Sequence, residues 1–528
     1  MPRTTRQVLS LALICGLLLA GCSHPSSPHR SLAPQAGGSP TGEMEAQRAA
    51  LGELQGVLAG PPVTVAQSGL SQATFEGLDQ DRDGRLSRGE KLQVFQDVWR
   101  SMSAIAAARR PVEGVESRPL PLAPGDYQVA HPLAFAPTQA DVFIDAGQIL
   151  PAVFQTIQQA QKSVWMDLFL LGGNEGRKLA ELLVNKGREG LDIRILHDPG
   201  YGLAGSAHQQ IVPVVRYLLA NGISVKSYPI GYLPRRAGHP LANRFQIDHN
   251  KFVIVDQRVA MLGTMNLIDL GVMNHDVYLR VTGAAAAELA GIHAATWGLR
   301  GSLPPTFPAE PTPKPSKTPK TPSFFGLLDV PANVSNGQAR VTKTDIDIQD
   351  TKKVLIEAIQ GAKRSVHVAI FEFGDVEVAQ ALVAAYKRNV DVRVLADKNA
   401  NYHKYLDAFK SLKLYGTPNL LTANILRDAG VPIKWYVPQV EDQELHMKLA
   451  LIDGERALVG STNYTYQAFR TFRETNLDLL SPSVSSELEA MFERDWTQRG
   501  TPVVKPDFYE RCIIAAVRAF DRFHLSWW

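Results

Sequence analysis

A layered α/β fold made of two duplicated halves that pack as a pseudo-dimer is predicted for this 528-residue chain, with a small helical segment ahead of them. Three observations predict it. The length exceeds what one core supports and suggests about three domains, or two with attached segments. The chain matches itself over two long regions. Each region alternates amphipathic helical stretches with short β-branched runs, the pattern of helices layered on a sheet.

The self-match begins with QQAQKSVWMDLFLL at 158–171, which aligns with QGAKRSVHVAIFEF at 360–373, and with LDIRILHD at 191–198, which aligns with VDVRVLAD at 390–397. The phase then persists. HNKFVIVDQRVAMLGTMN at 249–266 aligns with HMKLALIDGERALVGSTN at 446–463, and Glu288, Leu289 and Trp297 align with Glu487, Leu488 and Trp496. Duplication within one chain explains the shared spacing. Within the first copy, helix is expected near 149–161 and over 177–188, and strand over 163–170 and 192–197. The halves are assigned to 124–300 and 323–500. Between them, residues 301–322 carry eight prolines with Lys and Thr, a semi-extended linker able to lead from one half to the other.

Apolar content of 45% and charge of 20% exclude general disorder and a multi-span membrane protein. A net charge of +3 lacks the basic excess expected of a nucleic-acid binder of this size. Residues 1–22 read as an address: Arg3 and Arg6 precede an apolar run, Val8 to Ala20, too short for a stop-transfer span. The run ends in Leu19-Ala20-Gly21-Cys22, which resembles the lipobox of bacterial lipoproteins and implies acylation of Cys22. An exported chain, lipid-anchored to a bacterial outer membrane or cell surface, is expected, with residues 23–43 as a flexible tether. Cys15 and Cys22 belong to that segment, which leaves Cys512 as a free thiol and no internal disulfide.

A helical segment is expected over 44–110. Inside it, residues 79–90 read DQDRDGRLSRGE, the EF-hand pattern. Calcium needs six to eight hard oxygens. Asp79, Asp81, Asp83, the Arg85 carbonyl, a water near Ser87 and a bidentate Glu90 supply them, and Gly84 allows the sharp turn. Leu70, Phe75 and Leu78 before the loop, and Leu92, Phe95, Val98 and Trp99 after it, sit at helical spacing. No second loop is recognisable nearby, so a lone hand with Kd of about 0.1–1 mM is expected, structural or regulatory in role.

The strand period of two puts His249, Lys251, Val253 and Val255 on one face and Phe252 and Ile254 on the other. His and Lys therefore point the same way, and His446 and Lys448 repeat the arrangement. Asp256 and Asp453 complete the motif but fall on the opposite parity at the strand end, where they are expected to brace the local fold. Further on, Gly263-Thr264-Met265-Asn266 and Gly460-Ser461-Thr462-Asn463 deliver a hydroxyl and an amide. Two lysines and two asparagines would stabilise a pentavalent phosphorus without a metal, and two histidines can divide the proton work. Asp276 and Glu474 follow Asn266 and Asn463 by ten and eleven residues and are candidates to fix the tautomer of each His. His197 and Asp198 are weaker candidates, because only the Asp recurs, as Asp397.

The doubled pattern H-x-K-x4-D-x6-G-[ST]-x-N resembles the phospholipase D superfamily over about residues 125–500. The resemblance implies an α/β/α sandwich with paired motifs at a central interface, no cofactor for the phosphodiester chemistry, and a ping-pong route through a phosphohistidine. It makes His249 the nucleophile and His446 the acid/base. The leading expectation is hydrolysis of a phospholipid head-group phosphodiester, with transfer to another alcohol, at a phospholipid membrane and by a monomer. A cardiolipin synthase-type phosphatidyl transferase or a nuclease is the alternative within the same chemistry. A calcium-binding adhesin on an inactive scaffold is the alternative outside it, against which both intact His/Lys pairs argue. Residues 501–528 read as a C-terminal helix, with Phe508, Ile513, Val517 and Phe520 on a face that docks on the second half, in preference to a membrane contact by Trp527 and Trp528.

Overall fold

The structure, a computed structural model, describes residues 52, 55–108, 133–198, 206–227, 247–269, 271–298, 335–345, 348–398 and 414–522. All lie within the compact unit Ala49–Trp528. The lipoprotein signal with Cys22, the tether, the proline-rich linker and the tryptophan pair lie outside the described residues.

Each half strings its strands in the same order. The first contributes β1 (Ala136–Ile144), β2 (Ser163–Leu168), β3 (Asp192–His197), β4 (Ser224–Ser227), β5 (Lys251–Val255), β6 (Val259–Gly263) and β7 (Val277–Thr282). The second contributes β8 (Ser335–Asp345), β9 (Ile348–Gln349), β10 (Ser365–Ile370), β11 (Asp391–Asp397), β12 (Ile433–Tyr436), β13 (Lys448–Ile452), β14 (Arg456–Gly460), β15 (Glu474–Leu480) and β16 (Gly500–Pro502). Outward from the centre, the first half runs β1-β7-β6-β5-β2-β3-β4 and the second β8-β15-β14-β13-β10-β11-β12-β16, with β9 beside β8. The centre is the antiparallel pair of β1 and β8, with Ala136 opposite Ala339 and Ala140 opposite Ser335. Two duplicated halves thus share one 16-stranded sheet about a pseudo-twofold axis.

The pleat separates two cores. Phe252 and Ile254, with Leu449 and Leu451, face a core that both halves share beneath helices Ala284–Trp297 and Pro482–Gln498. Val253 and Val255 face the opposite core, against Ile149, Val153, Leu179 and Leu183 of helices Asp145–Gln158 and Gly173–Arg188. This is the predicted parity and the expected α/β/α layering. Boundaries differ by a few residues. The expected 149–161 helix starts at Asp145, where strand β1 ends, and stops at Gln158, because residues 161–163 turn to meet Asp256. Strand β2 ends at Leu168 instead of 170, since Phe169 and Leu170 turn their main chains to the motif segments.

Ahead of the sandwich, helices Gln72–Leu78 and Arg88–Ala108 flank the 79–90 loop. Leu86, its eighth position, exchanges backbone hydrogen bonds with Val63 at 2.8 and 3.2 Å. Val63 lies between helical residues 55–59 and Val65–Ser68. The C-terminal helix runs Phe508–Arg522, and its predicted face is buried, with Phe508, Ile513, Val517 and Phe520 at no more than 1% exposure. It docks between helix Asn419–Asp428 of the second half and helix Arg88–Ala108, where Phe520 meets Trp99 at 4.7 Å. Cys512 is the free thiol expected, buried in that contact.

Candidate active site

The motif histidines stand two residues before β5 and β13, at the ends that meet across the halves. The backbone N–H of His249 donates to Arg473 O at 3.0 Å, and that of His446 to His275 O at 3.0 Å. Arg473 N returns a bond to Ile247 O at 2.9 Å and His275 N to Glu444 O at 2.8 Å. Each motif thus forms a short parallel bridge with the segment that leads into β15 or β7 of the other half.

That bridge puts the acids in an arrangement their chain positions do not suggest. Glu474, in the second half, receives Nδ1 of His249 at 2.9 and 3.0 Å. Asp276, in the first half, receives Nδ1 of His446 at 2.9 Å. Each imidazole is oriented by the opposite half. The motif hydroxyl serves the acid: Thr264 Oγ1 donates to Asp276 Oδ1 at 2.5 Å, and Ser461 hydrogen-bonds Glu474. The glycine before it is sterically required, since a Cβ at Gly263 would strike Val277 and Tyr278, and one at Gly460 would strike Thr475 and Asn476.

Lys251 and Lys448 are buried and donate to His249 O at 2.7 Å and His446 O at 2.6 Å. Each ammonium lies 5.0 Å from a ring, Phe169 or Phe371, and that ring in turn lies 4.7 or 4.9 Å from the motif His. These phenylalanines recur in the self-alignment and could have been found there. The carboxamide Oδ1 atoms of Asn266 and Asn463 are buried without a hydrogen-bond partner, a state that native interiors rarely leave unexplained. The Asn463 Nδ2 donates to Glu372 at 2.7 Å, a residue the motif does not contain.

Burial shapes the charges. It draws Lys251 down to about 7 and Lys448 to about 8. Burial, then the neighbouring lysines, lowers His249 well below the ordinary histidine value and brings His446 to about 4. The two acids differ. Burial pushes Glu474 well up, whereas at Asp276 the charges of His446 and Lys448 outweigh burial and hold the carboxyl low. Mutual influence among both lysines and both histidines places them in one chamber.

Supporting residues escaped sequence reading because they act only across the interface. The buried guanidinium of Arg473 pairs with Asp248 at 2.8 Å. At the pseudo-symmetric position, His275 bonds Asp145 at 2.7 Å and Asp495 at 2.8 Å; burial lowers it, but these two carboxylates carry it up to about 9. Asp198 and Asp397, which the sequence marked as a shared pair, accept from Asp248 N at 3.0 Å and Leu445 N at 2.6 Å, fixing the backbone just before each motif His. His197 Nδ1 donates to the backbone carbonyl of Asp198 at 2.8 Å.

Asp256 and Asp453, although part of the motif, do not belong to the chamber. They sit at the far end of a five-residue strand, about 16 Å from the lysine at 3.3 Å per residue. Asp256 accepts from the backbone of Gln161, Lys162 and Ser163, and Asp453 from Lys363, Arg364 and Ser365. Both hold a left-handed turn, φ 52° and 55°, as the parity argument anticipated. Asp453→Ala is therefore expected to lower stability by about 1–3 kcal/mol, read by denaturant titration, with kcat of the folded protein unchanged. A fall in kcat at full stability would place Asp453 in the chemistry after all.

At the 79–90 loop, carboxylate oxygens of Asp79, Asp81 and Asp83 lie within 4.8 Å of one another. Glu90 is buried and accepts from Gln80 N at 2.6 Å and Ser87 N at 2.8 Å, and Gly84 takes φ 78°. The donors are all hard oxygens, which suits calcium.

A duplicated sandwich with two His/Lys/Asn sets meeting at its axis defines a phospholipase D-like protein. The chain belongs to the family described as "Cardiolipin synthase, PLD-like domain", which matches residues 153–294 and 355–496, more than half its length. It is 27% identical to "Cardiolipin synthase A" of Pseudomonas syringae pv. syringae over 417 residues, 75% of this chain and 76% of that one. It is 26% identical to "Cardiolipin synthase" of Geobacillus thermodenitrificans, over 78% of this chain and 75% of that one. Among solved structures, the phosphatidylserine synthase of Haemophilus influenzae shares the fold with a TM-score of 0.51 at 12% identity, over 69% of this chain and 87% of that one.

Proposed function

We propose that this chain is a phosphatidyl transferase of the cardiolipin synthase type, moving a phosphatidyl group between alcohols through a phosphohistidine. The observation that carries the reading is the pair of buried imidazoles, each with Nδ1 held by a carboxylate of the other half, among two lysines and two asparagines. With Nδ1 taken, Nε2 is the nitrogen left for phosphorus and proton chemistry. His249 attacks phosphorus, and His446 protonates the departing head group. His446 then takes the proton of the incoming alcohol, while Lys251, Lys448, Asn266 and Asn463 donate to the nonbridging oxygens. The names of the relatives move the balance from hydrolysis, the leading expectation from sequence, toward transfer. The test is product analysis on phosphatidylglycerol vesicles. Cardiolipin and glycerol are expected in equal amounts, and phosphatidic acid as the main lipid product would return hydrolysis to first place.

Acylation at Cys22 belongs to the same proposal, since a tethered enzyme meets phospholipid at high effective concentration. So does calcium at the 79–90 loop, held by Asp79, Asp81, Asp83, the Arg85 carbonyl and Glu90. Millimolar calcium is expected to raise Tm, and Asp79→Ala to abolish the rise, because binding to the folded state alone stabilises it. Equal melting in calcium and chelator would remove calcium from the account.

A further inference from the structure

The pseudo-twofold symmetry of the chamber breaks from hydrocarbon to charge at a buried position, Leu170 in the first half and Glu372 in the second. The equivalence is structural as well as sequential. Leu267 N donates to Leu170 O at 3.2 Å, and Tyr464 N to Glu372 O at 2.9 Å. Both side chains are buried, at 4% and 7% exposure. Their neighbours Phe169 and Phe371 pack on the two motif histidines alike. Where one half has hydrocarbon, the other places a carboxylate that accepts from Asn463 Nδ2 at 2.7 Å and acts electrostatically on Lys448. Its backbone is clamped on both sides, since Phe373 N donates to Asn419 Oδ1 and Asn419 Nδ2 to Phe371 O, each at 2.6 Å.

Burying a carboxylate is unfavourable, and leucine meets the packing need at the matching site. A carboxylate accepts hydrogen bonds and donates none, and phosphodiester oxygens also only accept. Glu372 therefore repels the phosphate and suits a donor beside it. The Lys448 ammonium already acts on it electrostatically, so a neutral hydroxyl fits better than a second cation. Its place is on the His446 side, beside the imidazole that handles the alcohol.

We propose that Glu372 recognises the acceptor alcohol, accepting a hydrogen bond from the hydroxyl next to the reacting one in a 1,2-diol or polyol head group. The inference rests on the phosphatidyl-transfer reading. In the step it serves, the acceptor O–H gives its proton to Nε2 of His446 as its oxygen bonds to phosphorus. The phosphorus–nitrogen bond to His249 breaks, and its electron pair returns to that imidazole. Glu372 sets which alcohol is held in line.

The full chain is assayed on phosphatidylglycerol vesicles with added deuterated glycerol, 1,2-propanediol, 1-propanol or ethanolamine. Head-group release and mass-shifted transfer product are followed separately in the parent and in the Glu372→Gln, Glu372→Leu and Glu372→Asp variants. The expected result is that in Gln and Leu KM for glycerol rises about 10- to 100-fold, well beyond any change in head-group release, and product shifts to phosphatidic acid. The preference for diols over 1-propanol is lost with it, and Asp restores part of both. The isosteric Gln variant answers the question even where Leu disturbs folding. An unchanged KM for glycerol, a parallel loss of head-group release, or ethanolamine as the parent's preferred acceptor would each overturn the inference while leaving phosphatidyl transfer standing. A parent that releases head group and forms no transfer product ends the transfer reading, and the inference with it.

Discussion

His249→Ala and His446→Ala are each expected to lower turnover by at least about 10³-fold without unfolding the protein, because each removes one partner of a two-histidine relay. The two variants differ in what accumulates. His446→Ala retains the nucleophile but has no group to deprotonate the incoming alcohol, so a slow first step leaves phosphatidyl on His249. His249→Ala forms no covalent species. Mass spectrometry of the peptide that holds each histidine, after a denaturing quench at alkaline pH, reads the difference directly. Label on His446 in the His249→Ala protein would invert the assignment of nucleophile and acid, which the near symmetry of the chamber does not fix.

Replacing the orienting acids should reach the histidine of the opposite half. Glu474→Gln and Asp276→Asn keep the shape of each pair but replace the carboxyl that holds Nδ1 with an amide, which no longer fixes the tautomer, and losses of about 10²–10⁴-fold in kcat are expected. The spatial claim has its own readout. The Nδ1–H proton of His249 should leave its downfield NMR position in Glu474→Gln and stay in Asp276→Asn, although Asp276 shares a half with His249. The pH profile separates orientation from folding. The Asp276 carboxylate favours the charged form of His446, so its loss lowers the pKa of that imidazole further. The limb of the profile that needs protonated His446 then moves to lower pH. An unmoved profile with reduced kcat would instead mean that Asp276 acts only through packing.

The duplication, the strand parity and the motif chemistry were legible in the chain because they depend on local spacing. Phe252 and Ile254 do face one core and Val253 and Val255 the other, as a period of two requires. Asp256 and Asp453 do brace turns, as their parity implied. The helices flanking the 79–90 loop were legible for the same reason, since their apolar spacing is local. The bridge from Leu86 to Val63 was not, because backbone hydrogen bonds leave no residue signature.

The sequence by itself determined that two copies of one half exist, that each presents a His and a Lys on a common face, and that an acid follows each asparagine by ten or eleven residues. Only the tertiary structure decided whose acid serves whose histidine. Side chains separated by 225 and 170 positions become hydrogen-bond partners because the segments carrying them form parallel bridges across the axis. It also decided that Glu372, an unremarked break in the repeat, lies beside Asn463 and Lys448. Spacing along a strand or helix fixes which way neighbours point, whereas pairing between halves depends on how two surfaces meet, and no local periodicity encodes that.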